Sequence, residues 1–140
     1  MKPPDEVKME IIRQWLAKAD QDLRVCEALL AAKPPFLYPA CFHAQQAAEK
    51  YLKALLTWHQ VEFPKTYAIE QLLELLNPSV PDVVSDLRDV VVLTPFGVDV
   101  RYPGDQPEPT VEEAREAVQL AQKVCDAILP LLPNRGPGGR

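Results

Sequence analysis

The segment YPACFHAQQAAEKYLKALLTWH, residues 38–59, decides the fold class of this chain. It is rich in alanine, leucine, lysine, glutamate and glutamine, which favour helix, and it contains no internal helix breaker. Its one proline, Pro39, falls in the first turn, where proline is tolerated. The segment therefore predicts one long helix, which at 1.5 Å per residue is roughly 30 to 40 Å long.

A second long helix is predicted immediately before it, over residues 5–32. The motif Lys33-Pro34-Pro35 ends this helix, and the short connection favours a hairpin of two long neighbours. Apolar side chains recur in the helix at steps of three and four residues, which gives it one apolar face. These residues are Ile12, Trp15, Leu16, Ala19, Leu23, Cys26, Leu29 and Leu30.

Two shorter helices are predicted in the middle of the chain. Thr66 is placed to cap a helix that runs to about Leu76, where Asn77-Pro78 stops it. The next helix starts at about Pro81, and its apolar residues are Val84, Leu87, Val90 and Val91. The run 90–93 has strand propensity, but an isolated strand would have no partner, so helix is the prediction.

A fifth helix begins at a capping box formed by Thr110 and Glu113. Its apolar residues again recur at three- and four-residue steps: Val111, Ala114, Val118, Ala121, Cys125 and Ile128. Together the segments predict an all-α fold, an antiparallel up-and-down bundle of four to five helices. We expect it to span residues 1–132 as one domain, with a disordered tail at 133–140.

Composition narrows the class of protein. With 140 residues, 47% of them hydrophobic and 25% charged, the chain suits one globular domain. A net charge of −5 argues against broad, nonspecific affinity for nucleic acid. The chain has neither an apolar run of about 20 residues nor a hydrophobic stretch at its start, so we expect a cytoplasmic protein without membrane contact.

The cysteines and histidines favour neither a disulfide framework nor a metal site. Cys26, Cys41 and Cys125 are odd in number and lie among apolar residues, which predicts buried free thiols. His43 and His59 are too far apart on one helix to bind one metal ion. The usual nucleotide-hydrolysis, dinucleotide-binding, zinc-protease and serine-hydrolase motifs are missing. We therefore expect no metal and no cofactor.

One face of the second long helix carries polar side chains at three- and four-residue steps: His43, Gln46, Lys50 and Lys53, with Gln45 and Glu49 along its edge. An imidazole, an amide and two ammonium groups suit a phosphate or a base edge. The alternative is a solvated helix face on which Glu49 pairs with Lys53 across one turn.

Asp22 lies on the apolar face of the first helix, where an unpaired carboxylate would be costly to bury. A cation from Lys50, Lys53 or Arg101 would compensate it. Such a pair is either a structural lock or part of a site, and the sequence leaves both interpretations open.

Arg101 and Tyr102 lie in a turn-forming segment, residues 100–104, after the fourth helix. Arginine offers a planar fork for phosphate, and tyrosine offers a face for base stacking. The alternative is that the two side chains only fix the loop.

These segments resemble the HEPN domain of prokaryotes in their order and spacing, up to about residue 130. The resemblance rests on ACFHAQQAAEKYLKALL (residues 40–56), on LTPFGVDVRYPG (residues 93–104), and on Trp15, Ala19, Asp22 and Leu23 before them. It implies a four- or five-helix bundle that usually dimerises. It also implies a role beside a minimal nucleotidyltransferase, commonly as a toxin and antitoxin pair, and many relatives are metal-independent ribonucleases.

The sequence departs from those ribonucleases at their catalytic motif. In the family an arginine is followed after four to six residues by a histidine; Arg101 matches, but no histidine occurs beyond His59. Tyr67 also stands in Lys65-Thr66-Tyr67, where many relatives have Thr-His. Since the usual acid/base group is missing, we do not expect ribonuclease activity.

The leading hypothesis is a noncatalytic accessory or toxin–antitoxin protein, a homodimer that binds nucleotide or RNA and associates with a minimal nucleotidyltransferase. A second hypothesis is a ribonuclease that uses His43 or Tyr102 as its acid/base group, and a third is an assembly module that binds no small ligand. In the leading hypothesis Asp22 and Glu49 orient the groups that contact the ligand, and those groups are Arg101, Tyr102, Lys50, Lys53, His43 and Gln46.

Overall fold

Two long helices, α1 (Pro4–Ala31) and α2 (Leu37–Trp58), dominate the computed structural model, which describes residues 4–98, 102–104 and 107–133. Both begin and end within one residue of the predicted bounds. The backbone N–H of Phe36 donates to the carbonyl of Leu29 at 3.1 Å, which closes the connection between the helices. The predicted tail falls largely on residues 134–140, which lie outside the described residues.

Contacts between α1 and α2 show that the two helices are antiparallel. Near the start of α1, the Nζ of Lys8 donates to the carbonyl of Trp58 at 3.2 Å and lies 4.2 Å from the centre of its ring, at the end of α2. Further along, the buried hydroxyl of Tyr51 donates to the carboxylate of Asp20. The predicted helical hairpin is therefore confirmed, and it forms the most extensive helix contact of the fold.

The third helix, α3 (Ile69–Leu76), begins three residues after Thr66 instead of immediately after it. The hydroxyl of Thr66 accepts the N–H of Ala68 at 3.0 Å, so it closes a turn that precedes the helix. The N–H of Ile69 donates instead to the hydroxyl of Thr94 at 3.0 Å. The hydroxyl of Thr94, which is distant in sequence, therefore accepts a hydrogen bond from the first turn of α3. The sequence had predicted this role for Thr66.

The predicted fourth helix is two elements, α4 (Pro81–Asp86) and a 3-10 helix at Arg88–Gly97. The change occurs at Leu87, whose N–H lies 3.0 Å from the carbonyl of Val83 and 3.1 Å from that of Val84. A 3-10 helix has three residues per turn, so side chains three apart share a face. The buried side chains follow that spacing: Val84, Leu87, Val90 and Leu93.

The fifth helix, α5 (Val111–Ile128), begins at the predicted capping box. The N–H of Glu113 donates to the hydroxyl of Thr110 at 3.0 Å, and the N–H of Thr110 donates to the carboxylate of Glu113 at 2.7 Å. A short 3-10 turn, Leu129–Leu131, follows. The capping prediction is confirmed.

Helix α2 lies at the centre of the bundle, in contact with α1, α3, α5 and the 3-10 helix. Its alanines allow close approach, and all of Ala40, Ala44, Ala47, Ala48 and Ala54 are buried. The part of the chain that the structure describes contains no strand, so the all-α prediction is confirmed. Within the same residues, no helix has both the length and the apolar character needed to cross a bilayer.

All three cysteines are buried free thiols, as predicted. Burial raises the pKa of Cys26 and of Cys41 to about 12. The thiols of Cys26 and Cys41 therefore stay protonated at neutral pH and behave as small apolar side chains.

Candidate functional site

Asp22 on α1 bridges two side chains of α2. Its Oδ1 lies 2.9 Å from the Nδ1 of His43, and its Oδ2 lies 2.5 Å from the Nζ of Lys50. His43 and Lys50 are seven residues apart, which is nearly two helical turns, so both lie on the same face of α2. Lys50 is therefore the cation that compensates Asp22, one of the three that the sequence allowed.

The bridge lies at the surface of the bundle. The exposed fraction of the side chain is 31% for His43, 18% for Lys50 and 13% for Asp22. The imidazole is thus the most accessible group, and the carboxylate that holds it is the least accessible. We call Asp22, His43, Gln46 and Lys50 the Asp22 cluster.

Gln46 connects this cluster to the interior. Its Oε1 accepts from the Nζ of Lys50 at 3.2 Å, and its Nε2 donates to the Oε1 of Gln45 at 2.8 Å. Gln45 is fully buried and donates through its Nε2 to the backbone carbonyl of Tyr67 at 2.6 Å. A continuous chain of hydrogen bonds therefore runs from Asp22 to the residue two positions before α3.

Glu49 and Lys53 form an ion pair of 2.7 Å across one turn of α2, and both residues are buried. Gln45 also donates to Glu49, at 3.2 Å. The Nζ of Lys53 lies 5.5 Å from the ring centre of Trp15 and 5.7 Å from that of Phe63, within the range of cation–π attraction. The interpretation of this part of the helix as a solvated face is wrong, because neighbouring elements cover it.

The structure thus divides the predicted polar face into two parts. It brings together Asp22, His43, Gln46 and Lys50 near the surface, and it places Glu49 and Lys53 in the interior. Every buried side-chain nitrogen and oxygen in the described residues has a hydrogen-bond partner. Each buried polar atom of the inner network therefore has a partner within the protein.

Arg101 lies outside the described residues, so the structure does not place its side chain. The described residues nearest to it are Val98, three positions before it, and Tyr102, directly after it and with 70% of its surface exposed. The hydroxyl of Tyr38, in the first turn of α2, donates to the carbonyl of Val98 at 2.6 Å. This bond fixes the end of the 3-10 helix beside the start of α2.

Gly97 is required by a close approach that sequence reasoning missed. A Cβ atom at this position would lie 2.6 Å from the Cδ2 of Tyr67 and 3.0 Å from the Cδ of Gln45. Both distances are shorter than ordinary contacts between carbon atoms, so a side chain here would force a shift. Since Tyr67 and Gly97 are thirty residues apart, no local pattern signals their contact.

The chemistry of the site is that of donors and an oriented imidazole. No group of three or more histidine, cysteine or acidic side chains suitable for a metal ion occurs among residues 4–98, 102–104 and 107–133. A carboxylate beside Nδ1 favours the proton on that nitrogen, which leaves Nε2 as an acceptor in the neutral ring. The Asp22 cluster can therefore accept a proton at His43 and donate hydrogen bonds from Lys50.

Comparison with known proteins identifies the family. The model of the HEPN domain family matches residues 12–131. The crystal structure of TT1696 from Thermus thermophilus is similar, with a TM-score of 0.68 and 33% sequence identity over 86% of this chain and 98% of that chain. No curated protein matches the sequence. With a family match over most of its length and a related solved structure, this chain belongs to the HEPN domain family.

Proposed function

We propose that this HEPN protein binds nucleotide or RNA, with a phosphate held by His43 and Lys50 of the Asp22 cluster and by Arg101. The observation that carries the proposal is the bridge from Asp22 to both His43 and Lys50, because it holds two phosphate-binding side chains side by side at the surface. Side chains fixed in advance lose less conformational freedom when a ligand binds.

Lys50 and His43 both keep capacity for a ligand. An ammonium group has three donors, and the described residues engage two of them, through Asp22 and Gln46. The imidazole contacts Asp22 through Nδ1, so Nε2 is the nitrogen that would meet a phosphate oxygen when the ring is protonated. Gln45 and Lys50 engage the nitrogen and the oxygen of the Gln46 amide, so in this proposal Gln46 positions Lys50 and does not contact the ligand.

Charge sets the expected strength of binding. The charges of Asp22 and Lys50 cancel, and those of Glu49 and Lys53 do the same, so the described cluster has little net positive charge. In the proposal Arg101 supplies the missing positive charge and a two-pronged hydrogen-bond donor, with the exposed ring of Tyr102 beside it. Binding that depends on one arginine agrees with a chain whose net charge is −5.

The proposed role is noncatalytic, as a homodimer that acts with a minimal nucleotidyltransferase, either as an accessory protein or as part of a toxin–antitoxin pair. Family membership supports this role, and so does the missing histidine after Arg101. Light scattering over a dilution series tests the dimer. Copurification with a nucleotidyltransferase encoded beside this protein tests the partner.

The binding experiment is fluorescence anisotropy with a labelled single-stranded RNA, at fixed low salt. We expect Arg101→Ala to weaken binding by about 10- to 100-fold, which corresponds to the loss of charged hydrogen bonds of about 1.5–3 kcal/mol. The control is Arg88→Ala, since Arg88 is half-exposed and pairs with Glu74 on the surface at 3.1 Å. Equal affinities for the two variants would contradict the proposal.

The Asp22–His43 hydrogen bond also favours a second function, cleavage of RNA without a metal. A carboxylate that orients an imidazole is the usual support of a histidine general base. Here Nε2 of His43 would take the proton of a 2′-hydroxyl as its oxygen attacks the adjacent phosphorus; the bond from phosphorus to the 5′-oxygen would break, that oxygen would take a proton from water, and a 2′,3′-cyclic phosphate would remain. RNA cleavage in the presence of chelator that is lost in His43→Gln would establish this activity, and intact RNA would exclude it.

A further inference from the structure

We propose that the exposed ring of Tyr67 is a stacking platform for an unpaired nucleobase, beside the phosphate site of the Asp22 cluster. The inference rests on the proposed function and makes it more specific, because it names a second contact and a class of ligand. The ligand is single-stranded RNA, since bases in a duplex already stack on each other.

Tyr67 is both accessible and firmly held. The residue has 46% of its surface open to solvent. Its backbone carbonyl accepts the 2.6 Å hydrogen bond from the buried amide of Gln45. Its ring packs against the backbone of Gly97, so closely that a Cβ there would lie 2.6 Å from Cδ2 and 2.9 Å from Cγ. Anchored at backbone and ring, Tyr67 offers an aromatic surface that costs little entropy to use.

Glycine at position 97 has a clear role in this arrangement. Any larger residue would push the ring of Tyr67 away from the 3-10 helix and disturb the amide of Gln45, whose Cδ would lie 3.0 Å from the added carbon. The close contact therefore supports the ring from one side. Since 46% of the residue is exposed, part of its surface remains open to a ligand.

Tyr67 is connected to the phosphate site through side chains of α2. Its backbone carbonyl accepts from Gln45, the Oε1 of Gln45 accepts from Gln46, and the Oε1 of Gln46 accepts from Lys50. Only two side-chain amides therefore separate Tyr67 from the ammonium group of Lys50. In the proposed arrangement a base on Tyr67 and a phosphate at Lys50 belong to the same strand.

The chemistry of single-strand binding fits this pair of contacts. Proteins of that kind combine cations that follow the backbone with aromatic rings on which bases stack, and loss of one ring weakens binding by about 5- to 100-fold. Lys65, two residues before Tyr67 and exposed, adds a cation on the same segment. The stacking contact is tolerant of sequence because every base has an aromatic face.

The test separates the base from the phosphate. Two probes are compared by anisotropy: a labelled RNA octamer of adenylates, and an octamer with the same phosphates on abasic ribose. We expect the wild-type protein to prefer the adenylate octamer by about 5- to 100-fold. We expect Tyr67→Leu, which keeps an apolar side chain against Gly97, to abolish this preference and to bind the abasic octamer as the wild type does.

Two further variants complete the experiment. Tyr67→Phe keeps the aromatic face and should retain the preference. Phe36→Ala removes another exposed aromatic side chain, which is 56% exposed at the start of α2, and should leave the preference unchanged. A preference that is absent in the wild type, that persists in Tyr67→Leu, or that falls equally in Phe36→Ala overturns the stacking platform. If neither octamer binds, the proposed function itself fails, and the stacking platform fails with it.

Discussion

Helix α2 takes part in two ion pairs that differ in their surroundings. Lys50 pairs with Asp22 of another helix, at the surface and beside an accessible histidine. Lys53 pairs with Glu49 of its own helix, in the interior, where Gln45 and two aromatic rings complete the contacts. Although both pairs join a lysine to a carboxylate, the inner pair is covered by the protein, whereas the outer pair retains contact with solvent.

The difference shows why charge alone does not identify a site. Four charged side chains on one stretch of two helices look alike in the sequence. We propose that the inner pair serves stability and the outer pair serves binding, because a charge that cannot reach solvent cannot reach a soluble ligand either.

Removing one member of the inner pair should cause the largest loss of stability. Lys53→Met leaves the carboxylate of Glu49 buried without its cation, which costs about 3–5 kcal/mol in the free energy of unfolding. Urea denaturation measures this value. The double variant Glu49→Leu/Lys53→Met should recover most of the loss, since it removes both charges. A single variant as stable as the wild type would show that the inner pair is solvated.

Gly97→Ala should destabilise the protein by disturbing the side chains of Tyr67 and Gln45, which lie against this glycine. The added methyl group would meet Cδ2 of Tyr67 and Cδ of Gln45, so we expect a loss of about 1–3 kcal/mol from overpacking. Thermal or urea unfolding measures it. The control is Ser79→Ala, which places the same methyl group at an exposed position. Equal stabilities of the two variants would show that the close contact at Gly97 does not limit the size of the side chain there.

His43→Ala should show the opposite behaviour from Lys53→Met. Its side chain is about a third exposed and Lys50 still compensates Asp22, so we expect a change in unfolding free energy below about 1 kcal/mol. Binding of single-stranded RNA should weaken by about 10-fold, through loss of one charged hydrogen bond. A variant that loses stability and retains binding would reverse the roles assigned to the two pairs.

The thiol of Cys26 reports how deeply solvent penetrates beneath the Asp22 cluster, since it lies one turn from Asp22 on α1 and is fully buried. Burial raises its pKa to about 12, from 9.0 for an ordinary thiol. The folded protein should therefore react with iodoacetamide at pH 8 about a thousandfold more slowly than the urea-unfolded protein. Mass spectrometry of the Cys26 peptide measures both rates, and equal rates would show an open surface.

The same shift has a consequence for stability. A folded pKa above the unfolded value means that the protonated thiol favours folding, and this contribution is complete below pH 9. It decreases as the pH rises towards 12, because the unfolded chain releases the proton first. Between pH 9 and pH 12 we expect the free energy of unfolding to decrease less in Cys26→Ala than in the wild type.

The sequence predicts most of the fold and about half of the cluster's organisation. Helices α1, α2 and α5 follow from periodicity and capping, which are local properties. The 3-10 helix was missed, although the three-residue spacing of Leu87, Val90 and Leu93 is visible in the sequence. That spacing belongs to both kinds of helix over a short segment, so the pattern alone does not separate them.

The site was harder to predict because its organisation depends on tertiary contacts. The pairing of Asp22 with Lys50 was one of three combinations that the sequence allowed, and only the packing of α1 on α2 selects it. The spacing of Glu49 and Lys53 in the sequence is the same whether water or Trp15 lies beside the pair. The spacing therefore does not show that the pair is buried. The contact of Tyr67 with Gly97 joins distant segments, and no local signal announces it.

The order of the helices along the chain also has a consequence for synthesis. Asp22, His43 and Lys50 all belong to the hairpin of α1 and α2, whose contacts are close in sequence and so form quickly. The other main cover of α2 is α5, which ends at residue 128 and leaves the ribosome much later. A face of α2 rich in alanine and leucine therefore remains exposed while about seventy more residues are synthesised, at about 5 to 20 residues per second. Nascent chains of this protein are thus expected to need protection from aggregation for several seconds, after the Asp22 cluster has already formed.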